Sequence, residues 1–317
     1  MSPVVLQVES LTKRYGAVVA VNNLSLAVNE GEVFGFLGPN GAGKTTSINM
    51  LCGLLKPDAG RILIHNRPIA DGAADFRTRV GMCPQNIVVW ERLTCLEQLQ
   101  FIGEMYGLPR NLARDRGRQL LEQLDLQEKQ DKQARTLSGG MRRRLSLALA
   151  LVHDPEILVL DEPEAGLDPQ SRIKVRDFIR SLARRKTILW TTHNMDEAER
   201  VADRIAIIDH GELLVLDTPE ALKRSVGEGD VLEIALNGPL NGERAQQAGQ
   251  ALQQVTPQIA LDTTQGTLTM RALNVVNLLP SIMEVLTAAG LQCGEVRLRA
   301  NSLEDVFIQL TGRRLRE

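Results

Sequence analysis

The sequence lacks an apolar run long enough to cross a bilayer. The longest, near Leu145 to Val152, includes Ser146 and stops at His153-Asp154-Pro155, well short of the roughly 20 residues that a spanning helix needs. Net charge is nearly absent as well: 37 basic residues stand against 39 acidic ones, for a formal charge of −2. No global field recruits nucleic acid or an anionic membrane, so any membrane link is expected through a partner alone. Cysteines are few, and Cys52, Cys83, Cys95 and Cys293 stand apart without metal-ligand spacing. That argues against a zinc site or a disulfide framework and fits a reducing cytosol, with the four read as small apolar fillers. Met1-Ser2-Pro3-Val4-Val5 lacks the charged-then-apolar order of a secretory signal. Aromatic residues make up only 3% of the chain, with two tyrosines, Tyr15 and Tyr106. The remainder is ordinary: 317 residues, 43% hydrophobic and 24% charged, fit a soluble globular protein with room for two domains.

Short apolar runs alternate with amphipathic stretches. Val33 to Leu37 reads as a buried strand, followed by a glycine-rich loop and a helix through Ser47, Ile48, Met50 and Leu51. Further strands are expected at Ile62 to Ile64, Arg79 to Cys83, Ile157 to Leu160, Thr187 to Thr191 and Arg204 to Ile208, giving an α/β fold with a mixed or parallel sheet. Thr94 and Glu97 have capping-box spacing, and Leu96, Leu99, Ile102, Met105 and Tyr106 keep helical periodicity up to Gly107. With a second helix near Leu112 to Leu124, they predict a helical insertion at about 90–150. Beyond Leu216-Asp217-Thr218-Pro219 the pattern changes to strand (Leu232, Ile234, Leu236), helix (Ala245, Ala248, Leu252, Val255), strand (Leu268 to Ala272), helix (Ile282 to Ala289) and strand (Glu295 to Arg299). That order is ferredoxin-like α+β, with Gly227-Glu228-Gly229 as the expected linker between domains at 1–226 and 227–317. A closing helix starts at Ser302 and Asp305, again with capping-box spacing, and puts Leu303, Val306, Phe307 and Leu310 on one face.

The chemistry begins at Gly38-Pro39-Asn40-Gly41-Ala42-Gly43-Lys44-Thr45-Thr46. Such a loop, between a strand and a helix, curls backbone N–H groups around a β-phosphate; Lys44 reaches the β/γ oxygens and the Thr45 hydroxyl can ligate Mg²⁺. Asp161 ends a buried strand and so delivers a carboxylate to the sheet edge where α/β folds bind ligands, while Glu162 points elsewhere and is free to polarise an attacking water. A second anion-reading element is Leu137-Ser138-Gly139-Gly140-Met141, a serine and glycine pair opening a helix. Two phosphate-reading loops in one nucleotide domain point to ATP completed between two copies.

With these motifs in order from about Val4 to Thr218, the chain resembles the ATP-binding cassette (ABC) ATPase subunits of transporters. The resemblance implies a P-loop cassette fold with ATP and Mg²⁺ as ligands. Tyr15 takes the place of the adenine-stacking aromatic, and Gln85 that of the glutamine that contacts Mg²⁺ and senses the γ-phosphate. Ser138, Gly139 and Gly140 match the signature loop, with Met141 where glutamine is commoner. Asp168 matches an acidic loop that crosses between subunits, and His193 the histidine that reaches the γ-phosphate; Glu164 stands where a small hydroxyl residue is usual.

The resemblance also implies partners: a second ATPase subunit, in the simplest case an identical one, and polytopic permease chains at the cytoplasmic face of the cell membrane. Trp90 lies in the segment where such cassettes meet the permease, and Leu99 reads as core. The C-terminal unit, ending in Ala300-Asn301-Ser302-Leu303-Glu304-Asp305-Val306-Phe307, is similar to the tail of drug- and antibiotic-exporter ATPases of the daunorubicin-resistance type. An importer ATPase is the alternative expectation, and a soluble cassette protein a more distant one. Arg313, Arg314 and Arg316 read as a solvated basic tail.

Overall fold

The computed structural model describes residues 3–69, 74–227, 229–237, 252, 259–262, 267–273 and 275–312. The chain divides into two compact units, Met1–Pro219 and Glu220–Arg314.

The first unit holds two sheets. β1 (Val4–Tyr15), β2 (Val18–Asn29), β4 (Ala59–Ile64) and β5 (Arg67–Pro68) form an antiparallel sheet in the order β2-β1-β4-β5. β3 (Val33–Leu37), β6 (Val80–Cys83), β7 (Ile157–Asp161), β8 (Thr187–Thr192), β9 (Arg204–Asp209) and β10 (Glu212–Asp217) form the second, in the order β10-β9-β3-β8-β7-β6. Its five strands from β9 to β6 run parallel and β10 is antiparallel to β9, so the sheet is mixed. Two departures from the sequence reading stand out. β1 and β2 stand outside the strands expected above: register shifts at Val4/Leu6 and Val8/Leu11 interrupt the pattern in β1, although in β2 Leu24, Leu26 and Val28 alternate with Ser25, Ala27 and Asn29 as a strand should. The Ile62–Ile64 strand joins these two and stays outside the parallel sheet, because pairing partner is not written in a strand's own pattern.

Period-two geometry divides the parallel strands between two cores. Phe34, Phe36, Ile157, Val159, Leu189 and Ile208 face the antiparallel sheet and α1 (Lys44–Leu51). Val33, Leu158, Leu160, Ile188 and Trp190 face the other way, toward the helical layer. Phe34 and Phe36, two residues apart on one face, meet edge to face at 5.3 Å. α2 (Ala74–Arg79) precedes β6; α3 (Cys95–Met105), α4 (Arg110–Gln123) and α5 (Gly139–Leu151) make the helical insertion. Thr94 closes its capping box with Glu97, and Leu99 is fully buried against the insertion. α6 (Pro169–Leu182) and α7 (Met195–Val201) follow β7 and β8. Among the described residues no helix is long and apolar enough to cross a membrane. Cys83 and Cys95 are buried, Cys52 and Cys293 half-buried, and all four are free thiols.

The second unit opens with α8 (Pro219–Ser225, whose first residue belongs to the first unit). β11 (Asp230–Asn237), β12 (Ile259–Asp262), β13 (Thr267–Ala272) and β14 (Gln292–Arg299) form an antiparallel sheet in the order β12-β13-β11-β14, with α9 (Val275–Ala288) inserted before β14. Leu232, Ile234, Leu268 and Met270 share a core with Val275, Ile282 and Leu286 of α9. The strand order is the ferredoxin-like one. The helix expected at Ala245 to Val255 lies outside the described residues apart from Leu252, as do Glu228 of the linker and Arg313, Arg314 and Arg316. α10 (Leu303–Thr311) starts on the Ser302–Asp305 capping box and buries Leu303, Val306 and Phe307.

Candidate active site

The glycine loop leaves β3 and enters α1 with Gly43 at φ 98° as its N-cap. No side chain fits there: a Cβ on Gly43 would lie 2.4 Å from the Ala20 carbonyl oxygen, and one on Gly38 2.3 Å from that of Ile208. Lys44 is 6% exposed, donates to the carbonyls of Gly38 at 2.7 Å and Pro39 at 3.1 Å, and sits 3.9 Å from a Glu162 carboxylate oxygen. Burial pushes its ammonium below the usual lysine range, against the opposing pull of Glu162 and Asp161.

Across the sheet, β7 ends in Asp161, whose two oxygens are both engaged. Thr45 Oγ1 donates to Oδ2 at 3.1 Å and Thr191 Oγ1 to Oδ1 at 2.5 Å. The chain then turns sharply: Glu162 has φ 45°, a left-handed conformation that costs a non-glycine residue energy and is held by its own N–H bonding the Thr191 hydroxyl at 3.0 Å. The turn throws the Glu162 carboxylate away from Asp161. Its Oε2 accepts from Gln85 Nε2 at 3.1 Å, and its Oε1 lies 3.0 Å from His193 Nδ1. The structure thus gathers Lys44, Thr45, Gln85, Asp161, Glu162 and His193, delivered by the carboxyl ends of β3, β6, β7 and β8.

Ser138 and Asp168 form a second group. Ser138 caps α5 by accepting from the Met141 N–H, and Asp168 caps α6 by accepting from Gln170 and Ser171. A Cβ on Gly140 would come within 2.5 Å of Ser171 Oγ and 3.7 Å of Asp168 Oδ2, whereas Gly139 has open space around it. Gly140 therefore also serves packing between two helix starts. Among the described residues, no hydrogen bond or ion pair joins this group, or Tyr15, to the Lys44–Glu162 cluster. Tyr15 is 52% exposed, with Lys13 Nζ 5.9 Å from its ring centre.

Sequence reasoning had no place for Glu164 and passed over Glu197 and Arg143. Glu164 is 2% exposed and takes two hydrogen bonds from Arg176, at 3.2 and 2.8 Å, while Arg172 lies 3.9 Å from its carboxylate. Glu197 in α7 accepts from the Thr192 hydroxyl at 3.0 Å and faces both Arg172 and Glu164. The signal for such a pair is absent from linear spacing, since it joins the end of β7 to two later helices. Burial, then the neighbouring Glu164 charge, raises the Glu197 carboxyl above the ordinary range. A carboxyl raised on folding loses stability as pH climbs from its unfolded value, about 4.3, through its folded one. Glu197→Gln is therefore expected to raise Tm at pH 8 by roughly 2 °C, with the gain vanishing toward pH 4; thermal melts across that range check it, and a gain independent of pH would count against the pairing.

A phosphate loop, a strand-end Asp-Glu pair and a histidine at the carboxyl edge of a parallel sheet define a P-loop nucleotide hydrolase of the cassette type. Known proteins agree. The ABC transporter family model matches residues 21–165. A daunorubicin resistance ATP-binding protein of Streptomyces coeruleorubidus is 38% identical, covering 100% of this chain and 99% of that protein. A Nod factor export ATP-binding protein of Ralstonia nicotianae is 40% identical over 99% of this chain and 95% of its own, and a linearmycin resistance ATP-binding protein of Bacillus subtilis 35% identical over 98% and 100%. Among solved structures, an ATP-binding subunit of an ABC transporter superposes with a TM-score of 0.64 at 29% identity, covering 70% of this chain and 92% of that one. A dimeric cassette in a post-hydrolysis state, bound to ADP and Pi, gives 0.62 at 26% identity over 67% and 98%. The chain belongs to the ABC transporter ATP-binding proteins and is an ATPase.

Proposed function

We propose that this chain is the ATP-hydrolysing subunit of an exporter of drugs, antibiotics or lipids, working as a pair of copies with a separate membrane permease. The observation that carries the ATP chemistry is the convergence of Lys44, Thr45, Gln85, Asp161, Glu162 and His193 at one sheet edge. Export is supported by the resistance and export relatives, which match the chain from end to end, C-terminal unit included.

In this reading Tyr15 stacks on adenine and the N–H groups of Gly38, Asn40, Gly41, Ala42, Gly43, Lys44, Thr45 and Thr46 form the phosphate cradle, while Pro39, which has no N–H, contributes its fixed backbone. Hard oxygen donors suit Mg²⁺: Thr45, Asp161 and Gln85 would hold it, and its charge would help neutralise the phosphates. Glu162, freed from Asp161 by the left-handed turn, receives the proton of the attacking water. His193 bonds Glu162 through Nδ1, which would leave its other ring nitrogen for the γ-phosphate. Ser138, Gly139, Gly140 and Asp168, which among the described residues make no hydrogen bond or ion pair to this cluster, serve the ATP of the partner copy in this reading. Nucleic acid has no part in it.

The permease surface is a groove of about 360 Å³ lined by Leu54, Val88, Trp90, Ile102, Tyr106 and His153. Trp90 is 42% exposed and stands edge to face with Phe101 at 5.7 Å, so an amphipathic ring is presented on a rigid support. Mild-detergent extraction should bring a polytopic chain down with this one, at the cytoplasmic face of the membrane. Trp90→Ala should weaken that association by roughly 30-fold, as loss of a 2 kcal/mol anchor does, without changing ATP affinity. Recovery of the protein only from ribosomes or the soluble fraction would sink the transporter reading.

A further inference from the structure

Arg143 stands on α5, five residues after Ser138, and is 1% exposed. Helical spacing sets it on the same face as Leu147 and Ala150, in the middle of the core. A buried guanidinium normally meets a carboxylate. Among the described residues this one meets only backbone. Its Nε donates to the Pro163 carbonyl at 2.9 Å; Nη1 donates to Pro84 at 2.5 Å and Gln85 at 3.2 Å; Nη2 donates to Asp161 and Glu162, both at 2.8 Å. All five N–H groups of the guanidinium are used, and its fixed fork dictates where the acceptors lie.

Those acceptors belong to two separate segments. One carries Gln85 and the other carries Asp161 and Glu162, while Arg143 itself belongs to the helix that Ser138 and Gly139 begin. Glu162 also sits in a strained left-handed turn, which persists only where its surroundings over-determine it. The two Nη2 bonds grip the carbonyls on either side of that turn's start.

We propose that Arg143 is a positioning residue, the common anchor that fixes Gln85 and Glu162 against the signature helix of the same chain. It acts through the two backbones it binds. Building on the paired-site reading, it also gives the mechanical route by which ATP of the partner copy, docking on Ser138 to Gly140, bears on this chain's own Glu162.

The test uses the full chain with ATP and Mg²⁺. Arg143→Lys keeps the charge but offers three donors from a single point, so the fork is lost. Its kcat should fall about 10- to 100-fold, the scale of a misplacement near 1 Å, while KM for ATP moves by less than about threefold. Leu147→Ala, one turn further along the buried face, supplies the contrast: it should lower Tm while leaving kcat per folded molecule unchanged. In hydrogen exchange, Arg143→Lys should speed the amides of Gln85 and Glu162 and leave those of residues 145–151 protected.

If the variant folds too poorly to assay, the wild-type protein still decides the question. Amides at 85–86, 140–144, 162 and 164 should then open as one cooperative unit with matched protection. A wild-type kcat in Arg143→Lys, a loss no larger than its loss of folded protein, or independent opening of the three segments would each overturn the assignment. Failure of the paired-site reading looks different: Glu162→Gln, with Arg143 intact, would then remain a single chain in ATP.

Discussion

Glu162→Gln is expected to lower kcat by about a thousandfold, the scale of a lost general base, with ATP binding intact. The reasoning runs from backbone to chemistry. The left-handed turn at φ 45° separates the Glu162 carboxylate from Asp161, so one strand end serves two purposes: Asp161 bonds Thr45 beside the phosphate loop, while Glu162 faces Gln85 and His193. Glutamine matches the size of glutamate and can still bond Gln85, but it cannot take a proton. Measured by steady-state phosphate release and by direct nucleotide titration, the variant should separate hydrolysis from binding. A variant that hydrolyses ATP at the wild-type rate would move the base elsewhere.

The second large effect is on binding. Lys44→Ala should weaken ATP affinity by about 100-fold, corresponding to roughly 3 kcal/mol for charge-assisted contacts to phosphate oxygens. Lys44 is almost fully buried, and burial already pushes its ammonium toward the neutral form, against the opposing pull of Glu162 and Asp161. An incoming polyphosphate supplies the missing negative charge at that position. Removing the ammonium leaves the phosphates facing two carboxylates instead. Folding should survive, since the carbonyls of Gly38 and Pro39 that Lys44 engages lie in a loop open to solvent on one side. Equal affinity in Lys44→Ala and wild type, by calorimetry, would contradict this role.

How far these groups could be read from the chain depends on whether their signal is local. The phosphate loop, Asp161 and the capping boxes at Thr94 and Ser302 are compact patterns whose geometry follows from a few neighbouring residues. The β1–β2 pair left a partial trace: Leu24, Leu26 and Val28 alternate in β2, while register shifts interrupt the pattern in β1. Glu164 was visible as an oddity but not interpretable: its partners Arg172 and Arg176 lie a turn and more into α6, and Glu197 comes from another strand-helix unit. Arg143 was legible in principle, as a charge on the apolar face of α5, yet nothing linear says that its acceptors are carbonyls near residues 84 and 162. The proposed pairing between copies is of the same kind, since it would give Ser138 and Asp168 their purpose from a chain outside their own.

The glycine pair behind Ser138 illustrates how one residue type serves two ends. Gly139 has open space where a Cβ would project, as a surface meant to receive a phosphate requires, while Gly140 is needed for the approach of α5 to Ser171 at the start of α6. In the proposed pair the first would meet a partner's nucleotide; the second is satisfied within the chain. Both keep the start of α5 exposed and fixed, which is the condition for reading an anion with backbone N–H groups.

Light scattering on Glu162→Gln with ATP and Mg²⁺ asks most directly whether two such half-sites close on each other. The expected mass is twice the 35.0 kDa of one chain, carrying two ATP molecules and reverting to one chain in ADP. A species that binds ATP at full affinity yet keeps the mass of a single chain would contradict the paired site.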